Sequence, residues 1–172
     1  MNIKEDGNKV KIIEELLKNA RASLSELSEK TGLSRQTVAK VIQDLEKKKQ
    51  IWGYATIIDP KLIDIKQYII LVKLNLSENV EGFLKTVTNP EILKDNEEKF
   101  GFKTTMFLHG NSDLLISVWA KDIIEVKKRI NIMKKIYESY VKDIELFEVI
   151  ATFRNCGILN PNVMEEWNNL LL

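Results

Sequence analysis

The spacing of hydrophobic residues changes near position 52. Through residues 9–52, apolar side chains recur every three or four positions, the period of helices that bury one face. Val10, Ile13, Leu16 and Leu17 share one such face, with Glu14, Glu15 and Lys18 off it. Leu24 and Leu27 mark a second helix; Ser23 ahead of them and Glu26 three residues on form a capping box. Gly32 is its expected stop, because glycine takes the left-handed conformation of a helix end cheaply. Ser34 then caps a third helix, whose stripe is Val38, Val41, Ile42 and Leu45.

Beyond residue 51 the pattern becomes that of strands and helices in alternation. Gly53 breaks the helical period, residues 54–58 read as a strand, and Asp59-Pro60 as a turn. A strand follows over 68–76, apolar on both faces at Ile69, Ile70, Leu71 and Val72, which implies a sheet covered on each side. Residues 80–87 read as a short helix, and Asn89-Pro90 as the start of another reaching Lys99. Strands over 104–108 and 114–120 flank His109–Asp113, a glycine-containing linker of hairpin length. Residues 122–137 place Ile123, Val126, Ile130, Met133 and Tyr137 on one helix side; a long strand is expected over 141–153. In the tail, Val163, Met164, Trp167, Leu170 and Leu171 again have helical spacing. The predicted class is α+β: an N-terminal helix-turn-helix, winged-helix-like domain over 1–52, a linker strand over 53–63, a βαββαβ ferredoxin-like domain over 64–156 and a tail over 157–172.

Composition narrows the function classes. With 172 residues and 44% hydrophobic content, the chain can bury real cores. The single cysteine, Cys156, excludes an internal disulfide framework and a cysteine-cluster metal site. No catalytic constellation, metal site or cofactor is expected. The first residues, MNIKEDGNK, lack a signal peptide's apolar core, and apolar runs of about five residues fall far short of the roughly 20 that span a bilayer. A soluble, cytoplasmic protein without a membrane partner is expected.

Formal net charge is only +1, so contact with nucleic acid must come from local placement of charge. Three helices with a tight glycine turn between the second and third are a helix-turn-helix signature. On the third helix, Arg35, Gln36, Lys40, Gln43 and Lys47 lie opposite the apolar stripe, with small Ala39 among them. Arg and Gln suit base edges, and Lys suits phosphates. The N-terminal end of such a helix reaches deepest, which favours Arg35, Gln36 and Thr37, next to Ser34, as readers. Composition alone leaves an ordinary solvated face equally open, and Lys47-Lys48-Lys49 would also suit a helix C-terminus. Residues 1–60 carry 11 Lys and Arg against 9 acids, an asymmetry in the expected direction but small.

The stretch IIEELLKNARASLSELSEKTGLSRQTVAKVIQDLEKKKQIWGYATIID resembles the leucine-responsive regulator/AsnC family, the feast/famine transcription factors. The resemblance rests on Asn19-Ala20-Arg21, Glu26-Leu27, Thr31-Gly32-Leu33-Ser34, Leu45-Glu46, Gly53-Tyr54 and Asp59, and on His109-Gly110-Asn111-Ser112-Asp113-Leu114-Leu115 in the second half. It extends over about residues 9–156. Ile63 replaces a usual glycine, the segment after the first sheet strand is long and proline-interrupted, and the tail beyond Gly157 is extra.

The resemblance implies a sequence-specific DNA-binding transcriptional regulator. It implies a homodimer, with assembly up to an octamer left open, in which two sheets face each other and the linker strand and Trp52 meet the partner copy. It also implies an amino-acid effector at the hairpin, with Gly110, Asn111, Ser112 and Asp113 as contacts and Thr152 as a further position. Glycine would let the ligand's carboxylate approach backbone amides, and Asp113 would hold its ammonium. Gly-Asn-Ser-Asp is equally ordinary turn composition. His109 and Cys156 read as structural or inert. Two rival functions belong to other classes: a co-assembly partner that binds no DNA, and an enzyme like the siroheme decarboxylases. The latter carry a His-Asn-Tyr run where this chain has MFLHGNSDLLISVW.

Overall fold

The computed structural model describes residues 3–75, 79–89, 91, 101–137 and 139–170. The chain folds as two compact units. One combines the residues up to Ile57 with Thr152–Asn168; the other spans Ile58–Ala151.

In the first unit, α1 (Ile3–Lys18), α2 (Leu24–Thr31) and α3 (Arg35–Lys47) surround Ile12, Leu27 and Val38, all essentially inaccessible, with Leu16, Ala22, Leu33, Val41 and Ile42 packed around them. The buried face of α1 is therefore not the expected one. Ile12 and Leu16 face the core, whereas Val10 is 53% and Leu17 71% exposed. Five apolar residues occupy positions 10–17, more than one face can hold, and the i,i+4 pair won. The returning C-terminal segment adds a two-stranded hairpin, β5 (Arg154–Asn155) with β6 (Ile158–Leu159), and a helix, α6 (Val163–Leu170). Cys156 and Gly157 at its tip both have positive φ, 46° and 83°, as a two-residue type I′ turn requires.

The second unit is a four-stranded antiparallel sheet with helices on one face. Its strands are β1 (Lys66–Leu74), β2 (Phe102–Phe107), β3 (Leu114–Ala120) and β4 (Val141–Glu148), in the order β2-β3-β1-β4. Helices α4 (Val80–Val87) and α5 (Ile123–Tyr137) bury Phe83, Val126, Ile130, Met133 and Tyr137. These cover Tyr68, Ile70, Val72, Ile116 and Val118, and the Phe83 ring meets Phe107 and Tyr140 edge-on. The opposite sheet face, with Ile69, Leu71 and Leu115, is only half-buried, and Phe147 and Met106 are exposed. The sequence implied cover on both sides; one chain supplies it on one.

Three further expectations differ. Residues 52–59, expected to hold a strand, belong to no ladder, and Pro60–Ile63 forms a short 3₁₀ turn capped by Asp59. Their β-favouring composition finds no partner strand within the chain. The last sheet strand ends at Glu148 rather than 153, because its antiparallel neighbour β1 starts only at Lys66: Tyr68 pairs with Glu148, and Val149 N–H gives one more bond to Gln67 O. Ile123, expected on the buried side of its helix, is 40% exposed at the helix start. The helix expected over 90–99 lies, apart from Glu91, outside the described residues.

Candidate nucleic-acid interface

The turn between α2 and α3 is fixed by local hydrogen bonds. The Ser23 hydroxyl accepts from Glu26 N–H at 3.2 Å, and the Glu26 carboxylate accepts from Ser23 N–H at 2.6 Å, so the expected capping box is complete. The Ser23 N–H, helped by the Ser23 hydroxyl, holds the Glu26 carboxyl below its ordinary pKa. Gly32 ends α2 at φ 72°, its N–H donating to Ser28 O at 3.0 Å. The Ser28 hydroxyl donates across the turn to Leu33 O at 2.6 Å, and buried Thr31 donates back to Leu27 O at 2.6 Å. Both short polar side chains thus have a backbone partner, and the exit direction into α3 is set.

α3 begins at Ser34, whose hydroxyl accepts from Thr37 N–H at 3.1 Å and lies 2.9 Å from the Thr37 hydroxyl. Ser34 and Thr37 are therefore engaged with each other, and Thr37 is half-buried. Val38 and Leu45 are buried on one side. Arg35, Gln36, Lys40, Gln43 and Lys47 are directed to the other, and among the described residues no side-chain hydrogen bond or ion pair holds any of them. This is a cationic and amide-bearing helix face, held from behind and open in front, with its N-terminus leading. Lys48 differs: it reaches Asp44 at 3.3 Å. Past the helix, Tyr54 donates to Glu46 at 2.9 Å, tying the following segment to α3. The only signal of that tie in the sequence is that Glu46 and Tyr54 both stand among the family-like positions. Burial and that bond push the Tyr54 phenol up.

The second candidate site sits on the β2–β3 hairpin. Gly110 and Asn111 are exposed, and Ser112 and Asp113 half-buried. Asp113 Oδ2 accepts from Leu74 N–H at 2.7 Å, Asp113 N–H donates to Val72 O at 2.9 Å, and Leu108 N–H donates to Asp113 O at 2.8 Å. Asp113 therefore ties the hairpin to the end of β1, a structural role that no local sequence pattern announces. A Cβ built on Gly110 would meet nothing within 4 Å, so the fold itself does not demand glycine there. Thr152 is not on the last strand as expected. It belongs to the other unit, where its carbonyl accepts from Asn160 Nδ2 at 2.9 Å. His109 and Cys156 are exposed. Among the described residues no helix is long and apolar enough to cross a membrane.

Comparison with known proteins places these features. A winged helix-turn-helix DNA-binding family model matches residues 5–51, which hold α1 to α3 and the turn. An HTH-type transcriptional regulator of Pyrococcus furiosus is 30% identical over 151 residues, 86% of this chain and 92% of the relative. The HTH-type transcriptional regulator LrpA of Pyrococcus horikoshii is 30% identical over 115 residues, 64% of this chain and 72% of the relative. A solved transcriptional regulator from Neisseria meningitidis in complex with L-Met superposes with a TM-score of 0.61 at 19% identity, over 96% of this chain and 97% of that one. Helix-turn-helix followed by βαββαβ sheet, and a relative matched along nearly its whole length, lead to one conclusion: the chain belongs to the leucine-responsive regulator/AsnC family and is a DNA-binding transcriptional regulator.

Proposed function

We propose that the protein acts as a two-fold dimer that reads an imperfect palindrome through α3 and responds to a free amino acid. The observation that carries the DNA part is the open outer face of α3, with Arg35 and Gln36 at its leading end. Arg35 and Gln36 read base edges, where bidentate donors and acceptors discriminate. Thr37 and Ser34 are spent largely on the cap and stand at its margin. Lys40 and Lys47 take phosphates, and Gln43 takes either a base edge or the sugar-phosphate chain. One such helix makes few base contacts, so two copies are needed, with half-sites about 34–36 Å apart.

The half-open sheet face supports the dimer. Ile69, Leu71, Leu115 and Phe147 form an apolar surface that a second sheet would cover. Trp52, 95% exposed, and the unpaired segment after it would meet the same partner. For the effector, the hairpin leaves the Gly110 and Asn111 backbone accessible, and among the described residues Asp113 Oδ1 carries no hydrogen bond. Together they suit the carboxylate and ammonium of an amino acid, the ligand class of the Neisseria meningitidis neighbour. The chain serves regulation rather than catalysis in this reading. Footprinting on the DNA upstream of the protein's own coding sequence, with and without each amino acid, tests it. Two protected half-sites on one duplex face, altered by one amino acid, are expected; protection indifferent to all of them would remove the effector.

A further inference from the structure

The densest positive charge in the second unit lies on its last helix and the start of β4, across β1 from the hairpin: Val72 pairs with Leu114 on one side and Ile144 on the other. Helix α5 carries Lys127, Lys128, Lys134 and Lys135, all exposed, and Lys142 follows at the start of β4, also exposed. No ion pair or side-chain hydrogen bond holds any of the five among the described residues. The helix's own cation–acid pair, Arg129 with Glu125, is separate from them. Lys134, Lys135 and Lys142 converge on a cleft of about 260 Å³ between the end of α5 and β4, completed by Val141, Asp143 and Ile144. Asp143 is the one acid lining that cleft, and its Oδ1 accepts from Ile144 N–H at 2.8 Å. Lysines at a helix C-terminus complement the dipole. That accounts for Lys134 and Lys135 but not for Lys127, Lys128 or Lys142.

We propose that this lysine face of α5 and β4 is a second, sequence-independent contact for the phosphate backbone of duplex DNA. The proposal rests on DNA binding as the chain's function and goes beyond α3. From Lys127 to Lys135 the helix advances about 12 Å. One strand of B-DNA offers a phosphate about every 3.4 Å along the axis, so about three or four phosphates match that length. Lysine fits such a surface because it is a point charge with rotatable donors that reads no base pattern. A small anion could use only the cleft, leaving Lys127 and Lys128 without purpose. Exposed Ile124, Ile132 and Ile136 share the helix and add no charge to oppose the backbone. Along α5 five Lys and Arg stand against one acid, Glu125, whereas β4 sets exposed Asp143, Glu145 and Glu148 against Lys142, so the positive excess belongs to the helix, with Lys142 at its edge.

The test compares full-length wild type with K127Q/K128Q/K134Q/K135Q, and with K134Q/K135Q and K142Q as milder variants, on operator and random-sequence duplexes across a salt series. Circular dichroism checks the fold, and Arg35→Ala serves as a reference that changes sequence choice. The expected result is weaker binding to both duplexes alike, with the log K against log salt slope flattened by about 0.9 for each phosphate no longer bound. Operator preference should stay at the wild-type ratio. If wild type binds DNA and the fourfold variant keeps the same slope, the proposal is wrong and the DNA-binding function stands. If wild type binds no duplex, that function itself fails. An unchanged slope with a changed oligomer mass would overturn the proposal in favour of a protein contact. An unchanged slope with wild-type binding of pyrophosphate, absent in K134Q/K135Q, would overturn it in favour of a small-anion site.

Discussion

Arg35 and Gln36 sit side by side at the start of α3, yet they and the lysines behind them differ in what they can do. An Arg or Gln against a base edge discriminates; a Lys against a phosphate does not. Replacing Arg35 or Gln36 by Ala should therefore relax choice at one base position by about 1–3 kcal/mol, read in a sequence-selection assay. Replacing Lys40 or Lys47 by Ala should weaken every sequence alike and flatten the salt slope by about one unit each. Asp113 has two oxygens with separate roles, which allows a cleaner experiment. Oδ2 satisfies the Leu74 amide, and Oδ1 is the proposed ammonium partner. Asp113→Asn keeps an acceptor for the amide while removing the charge. It should retain thermal stability and lose the amino-acid response in a calorimetric titration. Asp113→Ala should lose both, because the amide then lacks a partner at a cost of about 1–3 kcal/mol.

Among the elements, α2 gives the sharpest expectation. Its capping box depends on an ionised Glu26, whose carboxyl is held below the ordinary value by the Ser23 N–H and hydroxyl. A depressed folded-state pKa means that the stabilisation is fully present above the unfolded value and is lost as pH falls through the folded one. Thermal melts from about pH 7 down to about pH 3 should show the wild type losing more stability than Glu26→Gln, in which the side-chain amide still caps without titrating. Ser23→Ala should cost about 1 kcal/mol at neutral pH. The helix-turn-helix elements are legible in the sequence because their signals are local: a capping Ser, a Glu three residues on, a Gly at the turn. The sheet strands are legible as far as alternation reaches, and β3 falls on the expected residues. What the sequence hides is in each case set by a neighbour. The end of β4 depends on where β1 begins. The buried side of α1 depends on which of five apolar residues meets Leu27 and Val38. The segment after α3 has strand composition and no strand beside it within one chain. Thr152 falls beyond β4 because the strand that was to carry it stops at Glu148. Asp113 stands out as a charge near a glycine, but its bond to Leu74 spans 39 residues of sequence, beyond any local pattern.

At the scale of the whole molecule, the half-covered sheet is the feature on which the proposed dimer rests. Leu71 is central on the open face, paired with Leu115 across β3 and Glu145 across β4. Leu71→Asp should shift the species seen by analytical ultracentrifugation to monomer and abolish palindrome binding, while leaving the helix-covered core intact. A dimer that survives this change would place the interface elsewhere. The division into units has another outcome. The DNA-binding unit takes its last part, Thr152–Asn168, from beyond the sheet, so the sheet is spliced into it rather than appended. A ribosome releases α1 to α3 first, yet their companion hairpin and α6 emerge last, after all four sheet strands. Nascent chains stalled before residue 152 should thus carry α1 to α3 already closed around Ile12, Leu27 and Val38, with only the hairpin and α6 still to join them.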